Sequence, residues 1–184
     1  MYAIAICMAN GCEEIEGLTV VDLLRRSGIR IDMLSITEEL QVTGSHGITF
    51  FADERMDQVD MAQYDGIILP GGMPGTRNLG ASIPVMDALV DFAREGKLVG
   101  AICAAPSVLG KQGILEGKDA TSYPGFAEEM PGCHYKEEPV VVDGNIITSR
   151  GMGTAVDFGL AIVAYLKGQP EADLLAEKII YQKC

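Results

Sequence analysis

Short apolar runs alternate along this chain with segments whose apolar residues recur at helical spacing, and that alternation limits its possible folds more than any other feature. Tyr2–Met8 is one such run, and a helical segment from about Glu14 to Ser27 follows it. Gly28 stands where a helix end demands a left-handed residue. Ile29–Ser35 and Gly66–Leu69 read as the second and third strands. A helix is predicted to start near Pro84, a residue suited to the first helical position, and to stop at Gly96. Val85, Met86, Leu89, Val90 and Phe92 mark its apolar face. Leu98–Ile102 is a fourth apolar strand, with Cys103 at its end and a helix after it.

Strands alternating with helices predict an α/β fold, a mostly parallel sheet covered by helices on both faces. Val140–Ser149 departs from that rhythm. Asp143-Gly144 between two β-rich runs is a hairpin signal, so an antiparallel edge is expected there. Thr154 is then expected to cap a last long helix, with Asp157 three residues on in a variant of the capping box. From Ala155 to Leu166 that helix is apolar on nearly every side, which predicts deep burial.

A length of 184 residues suits one domain spanning 1–184. The net charge of −12 argues against a nucleic-acid footprint, which needs a basic face. No apolar run approaches the ~18 residues of a membrane span. Met1 to Met8 lacks the basic flank and cleavage pattern of a signal peptide. The five cysteines (Cys7, Cys12, Cys103, Cys133, Cys184) are odd in number and show no CxxC pair. That pattern points to free thiols in a reducing compartment, the cytoplasm by default. With only His46 and His134 as histidines, no metal site is expected.

In an open parallel sheet, functional loops lie beyond the carboxyl ends of the strands. Three such loops carry unusual residues: Asn10-Gly11-Cys12-Glu13-Glu14-Ile15-Glu16, Pro70-Gly71-Gly72-Met73-Pro74-Gly75 and Ala101-Ile102-Cys103-Ala104-Ala105-Pro106. The small neighbours of Cys103 suit a nucleophile elbow, whose tight turn crowds its flanks. A helix start beside the sulfur is expected to lower the thiol pKa. A small buried hydrophobe is the alternative for a single cysteine. Glu16 falls between Leu23 and Val20 on a helical wheel, so this carboxyl faces inward and should hold its proton unusually well. Glu13 or Glu14 better fits the ordinary role of an acid at a helix start. The Gly71-Gly72 loop lacks the Gly-Lys-Ser/Thr of a phosphate loop, and its N–H groups could instead hold an oxyanion. Gly151-Met152-Gly153 fits a loop before a capped helix.

The stretches Glu13-Glu14-Ile15-Glu16, Leu69-Pro70-Gly71-Gly72, Ala101-Ile102-Cys103-Ala104 and Thr148-Ser149-Arg150-Gly151 resemble the ThiJ/PfpI superfamily. The resemblance runs from Tyr2 to about Gly168 and is nearest the branch of the Parkinson-disease-associated deglycase. It implies a flavodoxin-like three-layer sandwich of class I glutamine amidotransferase-like type, and a homodimer. It further implies Cys103 as nucleophile, a protonated Glu16 touching its sulfur, and an oxyanion site at Gly71, Gly72 and Ala104. Protease-like members carry a histidine after the cysteine, where this chain has Ala104, so a Cys-His peptidase is disfavoured. Other members place a histidine where Tyr123 stands, and tyrosine is a poor base near neutral pH. His46 lies where the family can have an arginine reaching toward the partner's site, and a surface role fits it equally. His134 is implied to be structural.

Two functions follow from these residues. One is a cofactor-free, glutathione-independent glyoxalase III with related deglycase activity, converting methylglyoxal to lactate through a Cys103 hemithioacetal with Glu16 moving the proton. The other is a peroxide sensor with chaperone-like behaviour, in which Cys103 is oxidised to a sulfinate that Glu16 stabilises. The same thiol and carboxyl serve both.

Overall fold

A computed structural model describes residues 2–182; Met1 and Cys184 lie outside them. The chain opens with β1 (Ala3–Met8), buried at every position, as a strand covered on both faces must be. Helix α1 (Glu14–Arg26) follows and ends at Ser27-Gly28, with Gly28 at φ +73°. Next come β2 (Arg30–Ser35), a small hairpin of β3 (Gln41–Thr43) and β4 (Thr49–Phe51), and the short β5 (Glu54–Arg55). Then follow β6 (Gly66–Leu69), α2 (Gly75–Ala81), α3 (Ile83–Arg94), β7 (Leu98–Ile102) and α4 (Pro106–Lys111). The last third holds β8 (Asp119–Ala120), β9 (His134–Tyr135), β10 (Val140–Asp143), β11 (Ile146–Ser149), α5 (Ala155–Lys167) and α6 (Gln169–Lys178).

The main sheet runs β10-β11-β7-β6-β1-β2-β5, and among these neighbours only β10 and β11 are antiparallel. The expected hairpin therefore forms the edge, while its second strand joins β7 in parallel. Successive side chains of a strand point to opposite faces, and β1 shows the consequence. Ile4, Ile6 and Met8 pack with Val20, Leu24 and Phe158 on one side. Ala5 and Cys7 pack with Leu79, Leu89 and Phe92 on the other. Two apolar layers sandwich the sheet, in agreement with the three-layer expectation.

Three expectations need correction. Thr154 sits before α5 without capping it through its side chain. Its hydroxyl turns back instead, accepting from Gly151 N–H at 3.1 Å and donating to Gly151 C=O at 2.9 Å, which closes the 149–154 loop. Helix α5 is not buried all round: Phe158, Ile162 and Val163 are enclosed, but Leu160 and Ala161 are half-buried and Tyr165 is exposed. Nor is it the last helix, because α6 folds back on it. The apolar second side of α5 is cover for that neighbour.

Candidate active site around Cys103

Strands β7, β6 and β1 are consecutive in the sheet and parallel, so their carboxyl ends deliver loops 103–105, 70–75 and 9–13 to one edge. Two of these loops are joined by backbone hydrogen bonds, Glu13 N–H to Gly71 C=O at 2.9 Å and Gly75 N–H to Gly11 C=O at 3.0 Å. Contact this close demands glycine: Gly72 has φ +86°, and a Cβ on it would collide with the backbone of Cys12 and Glu13.

Cys103 itself adopts φ +65°, a left-handed conformation that costs an L-residue about 1–2 kcal/mol. Such strain persists only where the surroundings over-determine it. Here Cys103 N–H donates to Ser149 C=O at 3.0 Å, and Cys103 C=O accepts from Tyr123 N–H at 2.8 Å. Ala101, Ala104 and Ala105 are buried around the turn. The tight turn expected at Cys103 is present.

The sulfur meets Glu16 and is approached by the N–H groups of Ala104 and Gly72. Glu16 is 1% exposed, on the first turn of α1, whose start is capped by the Glu13 carboxylate accepting from Glu16 N–H at 2.7 Å. Its Oε2 accepts from Gly71 N–H at 2.9 Å. Gly71 therefore serves the carboxyl rather than an oxyanion, because one N–H cannot be aimed at both. Among the described residues, the N–H groups of Gly72 and Ala104 are the donors that approach the sulfur.

Burial lifts the Glu16 pKa to about 7, against the hydrogen bonds from the Cys103 thiol and Gly71, with Glu13 adding like-charge repulsion. Burial also pushes Cys103 up, to about 12, and the charge of Glu16 and its hydrogen bond from the thiol act in the same direction. The Ala104 and Gly72 N–H groups pull the other way. The lowering expected from the following helix is thus outweighed. Burial therefore raises both members of one hydrogen-bonded pair, the Cys103 thiol and the Glu16 carboxyl.

Tyr123 is 51% exposed and enters the site through its backbone, while its ring borders Gly151, where an added Cβ would lie 3.4 Å from the ring and 3.9 Å from Glu16 Oε1. Gly151 is thus a wall of the site, which its sequence context alone does not indicate. His46 is not brought to the sulfur of its own chain. Its imidazole Nδ1 lies 3.0 Å from Glu14 Oε2, and its N–H donates to Glu14 Oε1 at 2.8 Å. Glu14, 2% exposed, therefore fastens the β3–β4 hairpin to α1. Burial works against its ionisation, but the N–H groups of Glu14, His46 and Ile48 prevail and hold its pKa below the usual range. Sequence reasoning missed that role, since nothing local marks a carboxylate whose partners lie 32 residues away. Glu13, Glu14 and His46 bring possible cation ligands within 4.8 Å of one another, yet the Glu14 oxygens are already engaged by these hydrogen bonds. His134 is exposed, and its Nδ1 lies 3.3 Å from Asp119 Oδ1.

A sequence profile of the DJ-1/PfpI family matches residues 2–165. The Drosophila melanogaster protein dj-1beta is 36% identical over 177 residues, covering 95% of each chain. A Pyrococcus horikoshii protein named as a deglycase is 34% identical over 148 residues, 77% of this chain and 86% of that one. Two Arabidopsis thaliana DJ-1 homologues are longer, and this chain spans 39% and 44% of them. Among solved structures, Toxoplasma gondii DJ-1 in an oxidised form superposes with a TM-score of 0.96 at 33% identity, covering all of both chains. No helix among the described residues is long and apolar enough to cross a membrane.

Proposed function

The chain belongs to the DJ-1/PfpI family, and on that premise we propose that it is a cofactor-free, glutathione-independent glyoxalase with related deglycase activity. The observation that carries this reading is the Cys103 thiol hydrogen-bonded to a buried carboxyl whose pKa is about 7. A group so poised accepts and returns a proton near neutral pH.

The Cys103 sulfur attacks the aldehyde carbon of methylglyoxal, and its proton passes to Glu16 as the C–S bond forms. The Gly72 and Ala104 N–H groups hold the developing alkoxide, which takes the proton back from Glu16 to give the hemithioacetal. Glu16 then removes the hydrogen of that carbon, the electron pair moves toward the neighbouring carbonyl, and an enediolate forms. Return of that proton to the adjacent carbon, with the hydroxyl proton of the first carbon passing to the neighbouring oxygen, yields a lactoyl thioester. Water adds to its carbonyl, the C–S bond breaks, and lactate leaves with the thiol restored. Tyr123 contributes at most a hydrogen bond. Ala104 in the position after the nucleophile supplies no base for peptide hydrolysis.

Oxidation offers a second reading, favoured by the similarity to an oxidised relative. The N–H groups beside the sulfur suit sulfinate oxygens as well as an alkoxide, and peroxide would supply both oxygens. One assay separates the two. Purified protein should make lactate from methylglyoxal with neither metal nor glutathione, and Cys103→Ser should abolish it. Wild-type turnover no higher than that of Cys103→Ser, with selective addition of two oxygens at Cys103 by peroxide, would replace the enzyme by the sensor.

A further inference from the structure

A cleft of about 600 Å³ opens between α2, α3, α4 and the loop at Phe126. Its apolar walls come from Met73, Met86, Val108 and Phe126, and two cations, Arg77 and Lys111, line it. Lys111 is paired with Glu129. Arg77 is exposed and finds no partner among the described residues. Thr76, also in the lining, is 4% exposed and its hydroxyl meets no hydrogen-bonding group. The charges of Arg77, Lys111 and Glu129 leave one net positive charge in a chain of net charge −12.

We propose that this cleft binds a small organic monocarboxylate with an apolar body, its carboxylate paired with Arg77. The size suits a ligand-binding cleft, and apolar walls with few polar groups are the usual pattern. A guanidinium fork matches a carboxylate with two parallel hydrogen bonds. One uncompensated positive charge complements a monoanion. Two methionines in the wall let it adapt to the body of the ligand. The cleft takes no part in the chemistry assigned to Cys103 and is far larger than methylglyoxal needs. It does adjoin that site: Met73 follows Gly72, and Ser107 in its lining donates to Ala104 C=O at 2.7 Å.

The probes are naphthalene-2-carboxylate and its neutral counterpart naphthalene-2-methanol, titrated against the full chain by protein NMR. Shifts are expected at residues lining the cleft, with the acid binding at least about tenfold more tightly than the alcohol. Arg77→Gln, at an exposed position, should remove that preference. Lys111→Gln should reduce it, because Glu129 is then uncompensated. Cys103→Ser should leave it intact, which keeps this test separate from that of the reactive cysteine. Equal binding of both probes, binding of neither, shifts elsewhere, or a preference that survives Arg77→Gln would each overturn the proposal.

Discussion

Gly71 donates its N–H to Glu16 Oε2 at 2.9 Å, and the same residue leaves the gap in which that carboxyl meets Cys103. A Cβ at position 71 would lie 2.6 Å from Glu16 Oε2, 2.6 Å from Cys103 Cβ and 2.9 Å from Ile102 O. The last of these is backbone and cannot swing aside. Gly71→Ala is therefore expected to lower stability by about 1–3 kcal/mol, as overpacking does, and to reduce turnover by more than the folded fraction explains. Denaturant melts and the lactate assay measure both. Unchanged stability and turnover would mean that the contact is not as tight as described.

Glu16→Gln should move thiol reactivity and turnover in opposite directions. Removing the carboxylate charge takes away one of the causes that raise the Cys103 pKa, so alkylation by iodoacetamide at fixed mildly alkaline pH should become faster. Turnover should fall about 10²–10⁴-fold with the loss of the proton shuttle. In the wild type, Cys103 should alkylate before the enclosed Cys7 and Cys12. Slower labelling in Glu16→Gln would show instead that a protonated Glu16 stabilises a pre-existing thiolate.

The same carboxyl makes stability depend on pH. Folded Glu16 keeps its proton to about 7, whereas the ordinary value is 4.5. Between those values the folded state binds the extra proton, so stability falls as pH rises through the window and levels off above it. Glu16→Gln lacks this titration and should gain up to about 3 kcal/mol relative to wild type between pH 4.5 and 7. Urea melts of both proteins across that range decide the matter. Parallel stability curves would place the titration elsewhere.

We propose that the chain is a homodimer, and the surface near the start of α1 is where the contact is expected. Ile15, Ile48 and Phe51 are exposed there, Phe51 by 67%, and the Glu14–His46 hydrogen bonds hold the hairpin against the helix. Light scattering should give twice the mass of one chain, and Ile15→Glu with Phe51→Glu should weaken the association. A wild-type monomer at tens of micromolar would remove any role for His46 in a partner's site.

Sequence alone determined the alternation of strands and helices, the close of α1 at Gly28, the Asp143-Gly144 hairpin and the crowded turn at Cys103. These depend on side-chain period and on backbone preferences within a few residues, which a linear reading contains. Even the inward face of Glu16 followed from its place on one helix. Tertiary structure alone decided where polar groups found their partners. Gly71 reaches Glu16 across 55 residues, and Glu14 rather than the sulfur's surroundings claimed His46. Thr154 turned its hydroxyl back to Gly151 when a capping position was open to it. A buried donor must be satisfied by whichever acceptor packing brings within about 3 Å, and that choice depends on how separate elements are docked. The acidity of Cys103 belongs with these: the helix start beside it was legible, but the burial and the carboxyl that outweigh it exist only once β7 and α1 have met.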